Sequence, residues 1–244
     1  MNTEPKSYTI EIRGTAVDVV LKDIKNLHIG VYPPNGRVRV AAPLSLDDDA
    51  VRLAVISRLG WIGRQKERFK RQDRQSQREF VTGESHYFEG RRYRLDVTEQ
   101  CGSPSVRILN NSTLAICVRP GSDRHVREAL LDRWYRHNLR DRLPAIIAKW
   151  EPEMGVQVNE ARIKKMKTRW GTCNPDARRI WLNLELAKKP SACLEYVVVH
   201  EMVHLIERRH NDRFRKLMDR FMPLWRFHQD ELNRAPLAHA DWRY

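Results

Sequence analysis

The sequence predicts an α+β fold, because strand-like segments fill its first half and helical segments fill much of the second. Apolar and polar residues alternate in YTIEIRGTAVDVVL (8–21) and in LHIGVYPPNGRVRVAAP (27–43), as in strands with one buried face. A long segment after Gly121, rich in Ala, Leu, Trp and Arg, is typical of a helix. The chain has 244 residues, 41% of them hydrophobic, which is enough to form a sizeable core.

One long basic helix is predicted between the first strands and the next ones. Ser45 can cap it, and the acidic residues 47–49 suit the positive end of a helix. It continues through AVRLAVISRLGWIGRQKERFKRQDRQ, whose second part is polar and basic. Three more strands are predicted at GRRYRLDVTE (90–99), SVRILNN (105–111) and TLAICVRP (113–120). The sequence shows no internal repeat.

The second half combines helices with a shorter group of strands. The helix after Gly121 is predicted to begin at the cap Ser122 and to kink or split at Pro144. VQVNEARIKKMKTRWGTCNPDARRIWLNLEL (156–186) predicts strands with a turn at residues 174–176. A further helix begins near Ser191, and Asn211 is a favourable cap for another.

Charge and cysteine usage indicate the chain's environment and partners. Lys and Arg number 45 against 31 Asp and Glu, a formal charge of +14, which favours anionic partners such as nucleic acid or phosphate-bearing molecules. No apolar run approaches the roughly 20 residues that a membrane span needs, and MNTEPKSYTIEIRG has no signal-peptide core. The four cysteines are far apart and contain no CxxC pair, as expected of reduced thiols. We therefore expect a soluble, cytoplasmic protein.

The segment HEMVH, residues 200–204, matches the HExxH pattern of zinc hydrolases. On a helix, His200 and His204 lie about 40° apart around the axis and about 6 Å along it, so both can reach one ion about 2 Å away. Glu201 is then placed to accept a proton from a water molecule at that ion. The competing interpretation is a pair of core histidines bonded to their neighbours. The glutamate in the correct position and the apolar run EYVVVHEMVHLIE favour the metal site.

A third ligand is needed, and His210 is the favoured residue. On a continuous helix it would lie about 240° around the axis and about 9 Å along it from His204, so the helix must end between the two. The Arg-Arg pair at 208–209 suits a helix C-terminus. Glu207 is one alternative ligand, three residues past His204 on the same face. A residue of the following helix, such as His228 or Glu231, is another.

The region from about residue 166 to 214 resembles the signature of the YgjP-like metal-dependent hydrolases, also described as YgjP-like metallopeptidases. The matching residues are Arg169, Trp170, Gly171 and Cys173, then Asn183 and Pro190, then Tyr196 to His204, then His210 and Phe214. The resemblance implies a zincin-like fold, Zn²⁺ on His200, His204 and His210, and Glu201 as general base. It also implies a likeness to SprT-like proteases, which act at DNA, while nucleotide hydrolysis has been proposed for family members.

On this resemblance, residues 121–244 form a zincin-like catalytic domain, and residues 1–120 form a β-rich region with one long basic helix. The strand IWLNLEL (180–186) could be the sheet edge on which an extended peptide pairs. Asn183 would offer its amide to substrate or hold the helix, or else it would pair locally within its strand.

Arg169 could stabilise an oxyanion or bind a phosphate or carboxylate group. The alternative for Arg169 is an ion pair with Glu185 or Glu195. Trp170 is either core or a platform for substrate, and Cys173 is expected to pack rather than bind metal.

Five cations between Arg162 and Arg169 predict a positive cleft if their strand borders the metal. That cleft would suit a phosphate-bearing substrate better than a neutral peptide, so two activities remain open: a metallopeptidase and a nucleoside triphosphate pyrophosphohydrolase using the same site. The segment RQKERFKRQDRQSQR (64–78) leaves a DNA-associated basic protein as a further alternative, although only Phe69 is available there to stack on bases.

Overall fold

A computed structural model of the chain describes residues 7–32, 36–71, 78–166 and 169–234. It divides the chain into two compact units, one within residues 1–74 and one within residues 75–240. This division lies 46 residues before the boundary at 120/121 that the sequence suggests, because the strands after residue 84 share a hydrophobic core with the later helices.

The first unit is a four-stranded sheet covered by two helices. Its strands are β1 (Ser7–Ile12), β2 (Thr15–Lys22), β3 (His28–Tyr32) and β4 (Arg37–Pro43), in the order β1-β2-β4-β3. The central pair β2 and β4 is parallel, and the two outer pairs are antiparallel. Alternate residues of β2 and β4, such as Val17, Val19, Val38 and Val40, are fully buried, as the alternation predicts.

The predicted long basic helix is in fact two helices, α1 (Asp48–Ile56) and α2 (Leu59–Arg71). Asp47, and not Ser45, caps α1, because its carboxylate accepts a hydrogen bond of 2.8 Å from the backbone N–H of Ala50. Val51, Val55 and Ile62 face the sheet and complete the core of this unit.

The second unit begins with another four-stranded sheet. Its strands are β5 (Ser85–Phe88), β6 (Arg91–Glu99), β7 (Ser105–Ile108) and β8 (Thr113–Val118), in the order β5-β6-β8-β7. The central pair is again parallel and the outer pairs antiparallel, so the two sheets share one topology. The two sheets share this topology although the sequence shows no internal repeat. In each sheet, the hairpin between the first two strands turns through a non-glycine residue with positive φ that is followed by glycine. These residues are Arg13-Gly14 and Glu89-Gly90.

A single helix, α3 (Arg124–Met154), follows this sheet. Asp123 caps it in place of Ser122, with its carboxylate 2.8 Å from the backbone N–H of Val126. The sequence predicts a kink or a split at Pro144. The split is wrong, because the helix continues through Pro144 and ends only at Gly155. The buried hydroxyl of Tyr135 donates a hydrogen bond of 2.8 Å to the carbonyl of Tyr87 and so ties α3 to β5.

A three-stranded sheet follows, made of β9 (Glu160–Lys164), β10 (Gly171–Asn174) and β11 (Arg179–Asn183). The order is β10-β11-β9, with β10 antiparallel and β9 parallel to β11. The expectation that IWLNLEL forms an edge strand is therefore wrong. Its first residues are the central strand, and its last residues begin a short 3₁₀ helix, Leu184–Lys188. β10 and β9 are the two outer strands, and no described strand pairs with their outer edges.

Three helices complete the second unit: α4 (Ser191–Val203), α5 (Asp212–Phe221) and α6 (Trp225–Arg234). Nine of the 13 residues of α4 are buried, so α4 is the central helix of the core. Asn211 caps α5, as predicted, by accepting a hydrogen bond of 2.9 Å from the N–H of Phe214. Within the described residues, no helix is both long and apolar enough to cross a membrane.

Candidate metal centre

The end of α4 and the start of α5 bring three histidine side chains together. His200 lies in the last turn of α4, and His204 is the residue at which the helix ends. Backbone hydrogen bonds continue the turn as far as Glu207, whose N–H donates to Val203 at 2.9 Å. The chain then reverses before the cap of α5, which brings His210 back until its Nε2 is 3.0 Å from Nε2 of His200.

The three imidazoles form a compact cluster. One ligand nitrogen from each of His200, His204 and His210 lies within 4.8 Å of the others, and the ring centroids are 4.7–5.1 Å apart. Phe214 packs against all three rings at centroid distances of 4.7–4.9 Å. Within the described part of the chain, this is the group of His, Cys, Asp and Glu side chains whose spacing could hold a metal ion.

The rival third ligands lie outside this cluster. The Glu207 carboxylate instead accepts the backbone N–H of Arg209 at 3.1 Å and faces Arg213 at 3.8 Å. His228 and Glu231 face each other at 3.9 Å, and the Cys193 thiol donates to Glu231 at 3.4 Å. Neither Glu207 nor the pair His228 and Glu231 belongs to the group of side chains whose ligand atoms lie within 4.8 Å of one another.

The surroundings of the three imidazoles lower their pKa values and so favour the neutral form, which is the form that binds a metal. Burial lowers the pKa of His200 to about 3, and the neighbouring His204 and His210 contribute in the same direction. Burial also lowers the pKa of His204 and of His210. Nδ1 of His204 lies 3.1 Å from the carbonyl oxygen of Glu207, a contact that places a proton on Nδ1 and leaves the Nε2 lone pair free.

Glu201 is buried beside the imidazole cluster and against strand β10. Burial raises the pKa of its carboxyl group to about 8, and the positive charge of Arg169 opposes that rise. A Cβ atom added to Gly171 would lie 2.5 Å from Oε1 of Glu201 and 2.7 Å from its Cγ. Glycine at 171 is therefore a steric requirement for this position of the carboxylate, and the close approach that a glycine in the motif suggests is made to Glu201.

Comparisons with known proteins give a family and one structural match. A model of the YgjP-like metallopeptidase domain matches residues 25–235. The chain belongs to the YgjP-like metallopeptidase family. Metallopeptidases are hydrolases that use a metal ion, so this member is a hydrolytic enzyme. The crystal structure of the metallopeptidase zymogen of Pyrococcus abyssi abylysin is a local structural match, with 17% identity and a TM-score of 0.34 over 36% of this chain and 90% of that one. A search of curated proteins found no match.

Asn183, the asparagine of the family signature, uses its side chain inside the protein. Its Nδ2 donates hydrogen bonds of 2.8 Å to the carbonyls of Met166 and Arg169. Its Oδ1 accepts from the N–H groups of Met166 and Glu185 at 3.3 and 3.2 Å. Three of these bonds, to Met166 and Arg169, hold the segment that leads into β10, and the bond from Glu185 caps the 3₁₀ helix.

The other residues of the RWGTC signature have different surroundings. Arg169 is exposed, and within the described residues it forms neither of the two ion pairs considered above: Glu185 binds Lys188, and Glu195 binds Lys149. Trp170 is half-buried against the core, and Nζ of Lys189 lies 5.5 Å from its ring. Cys173 also packs against the core, and burial, with the charge of Glu201, raises the pKa of its thiol to about 12.

Among the described residues 162–166, Arg162 and Lys165 do not contribute to the predicted positive cleft around the imidazoles, because both are bound by carboxylates elsewhere. Arg162 lies on β9, at the sheet edge opposite β10, and is paired with Glu160. Lys165 is bound by Glu128 at 2.8 Å and by Asp132 at 3.1 Å. Lys167 lies outside the described residues. Most side chains of the basic segment 64–78 are also outside the described part of the structure.

Proposed function

We propose that this enzyme is a zinc-dependent peptidase, with zinc held by His200, His204 and His210 and with Glu201 as the general base. The observation that carries the proposal is the convergence of three neutral imidazoles beside a buried carboxylate. The Nε2 atoms of His200 and His210 are 3.0 Å apart. That is close to the about 3.3 Å between two nitrogens that each lie about 2.0–2.1 Å from a tetrahedral zinc.

Three protein ligands leave a fourth position open, as catalytic zinc sites require. Zinc, when bound, supplies the Lewis acidity that activates water at neutral pH and polarises a carbonyl group. Glu201 accepts the proton of the attacking water and then passes it to the leaving amine. Burial raises the pKa of this carboxyl group, which makes its ionised form a stronger base.

The free edge of β10 supports a peptide as substrate. β10 pairs with β11 on one side and has no strand partner on the other within the described residues. An extended peptide added to that edge would form backbone hydrogen bonds with residues 171–174. Since Gly171 contacts Glu201, the scissile carbonyl of such a peptide would lie beside the catalytic carboxylate. Arg169 would stabilise the negative charge that develops on that carbonyl oxygen.

Hydrolysis of nucleoside triphosphates at the same site is less well supported. Catalysis on a triphosphate requires several cations converging on its phosphates. Arg169 is the cation that influences Glu201, while Arg162 and Lys165 are neutralised by their own carboxylates. Of these three cations, only Arg169 acts on the carboxylate, whereas a triphosphate needs several.

The test is to incubate metal-replete protein with pooled peptides and, separately, with pooled nucleoside triphosphates, and to identify the products by mass spectrometry. We expect peptide cleavage that a chelator abolishes, that added zinc restores and that Glu201→Gln lacks. Zinc-dependent pyrophosphate release without peptide cleavage would replace the peptidase with a nucleotide hydrolase. Metal-independent turnover of either pool would contradict the proposal.

A further inference from the structure

A groove of about 430 Å³ lies between α3 and β9, and none of the imidazoles or signature residues lines it. Its volume is in the range of roughly 300–1,000 Å³ that ligand sites occupy. One wall is a face of α3, the other is strand β9, and Trp181 of β11 closes it. The groove therefore follows the edge of the three-stranded sheet that is opposite the edge at Glu201.

The floor of the groove is apolar. Leu143, Pro144 and Ile147 from α3 meet Ile163 of β9 and Val158 just before it. Leu143 is buried, Ile147, Val158 and Ile163 are half-buried, and Pro144 is exposed. A ligand that enters the groove would thus place apolar groups inward and polar groups towards the rim.

The rim is positively charged. Arg136 and Arg140 project from α3 one helical turn apart, and within the described residues neither has an ion-pair partner. Arg162 lies across from them, with its guanidinium 5.2 Å from the centre of the Trp181 ring. Glu160 is the carboxylate among the lining residues, and its charge is already balanced by Arg162 and Arg179.

The remaining wall is a strand with a free edge. β9 pairs with β11 on one side, and no described strand pairs with its other side. A free edge presents backbone N–H and C=O groups that pair with an extended chain. The about 6 Å rise between Arg136 and Arg140 is close to the about 6.7 Å between alternate residues of a strand. Carboxylates two residues apart on an extended chain therefore match the two arginines.

We propose that this groove is a docking site for an extended acidic segment of another protein. The segment pairs with the edge of β9, inserts apolar side chains between α3 and the sheet, and directs alternate carboxylates at Arg136 and Arg140. Charge complementarity selects the acidic partner, and the strand edge selects a peptide over a nucleic acid, which has no backbone N–H groups to pair. The site goes beyond the proposed activity and does not depend on it.

The test uses the full-length chain carrying Glu201→Gln, so that no probe is cleaved. The probe is a fluorescein-labelled heptapeptide of alternating valine and glutamate, followed by fluorescence anisotropy. Two control peptides replace glutamate with lysine, or the central valine with proline, which cannot donate a backbone hydrogen bond. A labelled single-stranded oligodeoxynucleotide of similar length tests the nucleic-acid alternative.

We expect the glutamate peptide to bind with an affinity that falls about tenfold in Arg136→Ala/Arg140→Ala, about 1.4 kcal/mol for two partly screened ion pairs. Arg133→Ala, an exposed residue of α3 outside the groove, should change it less than twofold. Weak binding of both control peptides supports strand pairing and charge selection. The proposal is overturned by an absence of binding, by equal binding of the lysine peptide, or by an unchanged affinity in the double variant. It is also overturned if those substitutions weaken only the oligonucleotide.

Discussion

The two edges of the sheet β10-β11-β9 differ in what lies beside them, and on our proposals that difference separates catalysis at one edge from binding at the other. Beside β10 lies α4, which places Glu201 against Gly171 and holds two of the three imidazoles. Beside β9 lies α3, which contributes apolar side chains and the arginines Arg136 and Arg140 to the groove. On our proposals, one small sheet thus offers two strand edges to extended chains, and the neighbouring helix determines which edge is reactive.

The largest effect should come from Glu201→Gln, on the β10 side. Glutamine keeps the size of the side chain but cannot accept a proton, so we expect kcat to fall at least about 100-fold, the low end of general-base effects. Zinc content should stay at about one ion per chain, because the three imidazoles are unchanged. Measurement of both quantities on the same preparation checks this. Parental turnover in the variant would show that Glu201 is not the base.

Gly171→Ala should produce the next largest effect. The added Cβ would lie 2.5 Å from Oε1 of Glu201, so the carboxylate has to move. A displacement of about 1 Å at a reacting group can cost about 100-fold, and we expect kcat to fall between about 10- and 100-fold. Zinc affinity should change less than about threefold. Gly102→Ala is the matched control, since nothing lies within 4 Å of a Cβ there. Equal kinetics of the two variants would refute the steric role of Gly171.

Asn183→Ala, in the central strand, should affect stability more than chemistry. Four hydrogen bonds of a buried amide are lost, and we expect unfolding to become easier by about 3 kcal/mol. The drop in kcat should be smaller than that of Gly171→Ala, because only the segment before β10 and the start of the 3₁₀ helix are loosened. Urea unfolding and steady-state kinetics give the two numbers. The exposed Asn159→Ala should change neither, and a large catalytic loss at unchanged stability would indicate that Asn183 contacts the substrate.

Arg162→Ala, on the β9 side, should have the smallest effect on turnover. Its guanidinium is paired with Glu160 and lies over Trp181, at the edge opposite Glu201. We expect kcat/KM for a short neutral peptide to change less than about twofold. A loss comparable with that of Gly171→Ala would mean that the two edges are not functionally separate.

The sequence could predict those parts of the site that depend on spacing along one helix. His200, Glu201 and His204 follow from i,i+1,i+4 geometry, and the Asn211 cap follows from side-chain chemistry at a helix start. The sequence predicted that the helix must end before His210 if His210 is a ligand, because a continuous helix would carry His210 away from His204. The structure shows this reversal of the chain. Gly171 suggests a tight turn or a close approach, but its partner Glu201 lies 30 positions away, and no local pattern identifies that partner.

The fold was harder to predict where tertiary contacts decide. IWLNLEL alternates like an edge strand, yet β9 and β10 flank it on both sides, and its end winds into a 3₁₀ helix. Pro144 does not split α3, because packing of Leu139 and Leu143 in the core outweighs the local loss of one hydrogen bond. The shared topology of the two four-stranded sheets could not be recognised from the sequence either, because different side chains fill the buried positions of the same alternating apolar and polar pattern.

The most direct test of the central claim is zinc affinity, measured by competition with a chromophoric chelator in four proteins: the parent, His210→Ala, Glu207→Ala and His228→Ala. Loss of a ligand should exceed the about 10- to 100-fold effect of outer-sphere groups. We therefore predict that His210→Ala weakens zinc binding by more than about 100-fold, while the other two substitutions change it less than about threefold. Retention of parental affinity by His210→Ala, or loss of zinc in Glu207→Ala alone, would contradict the three-histidine site.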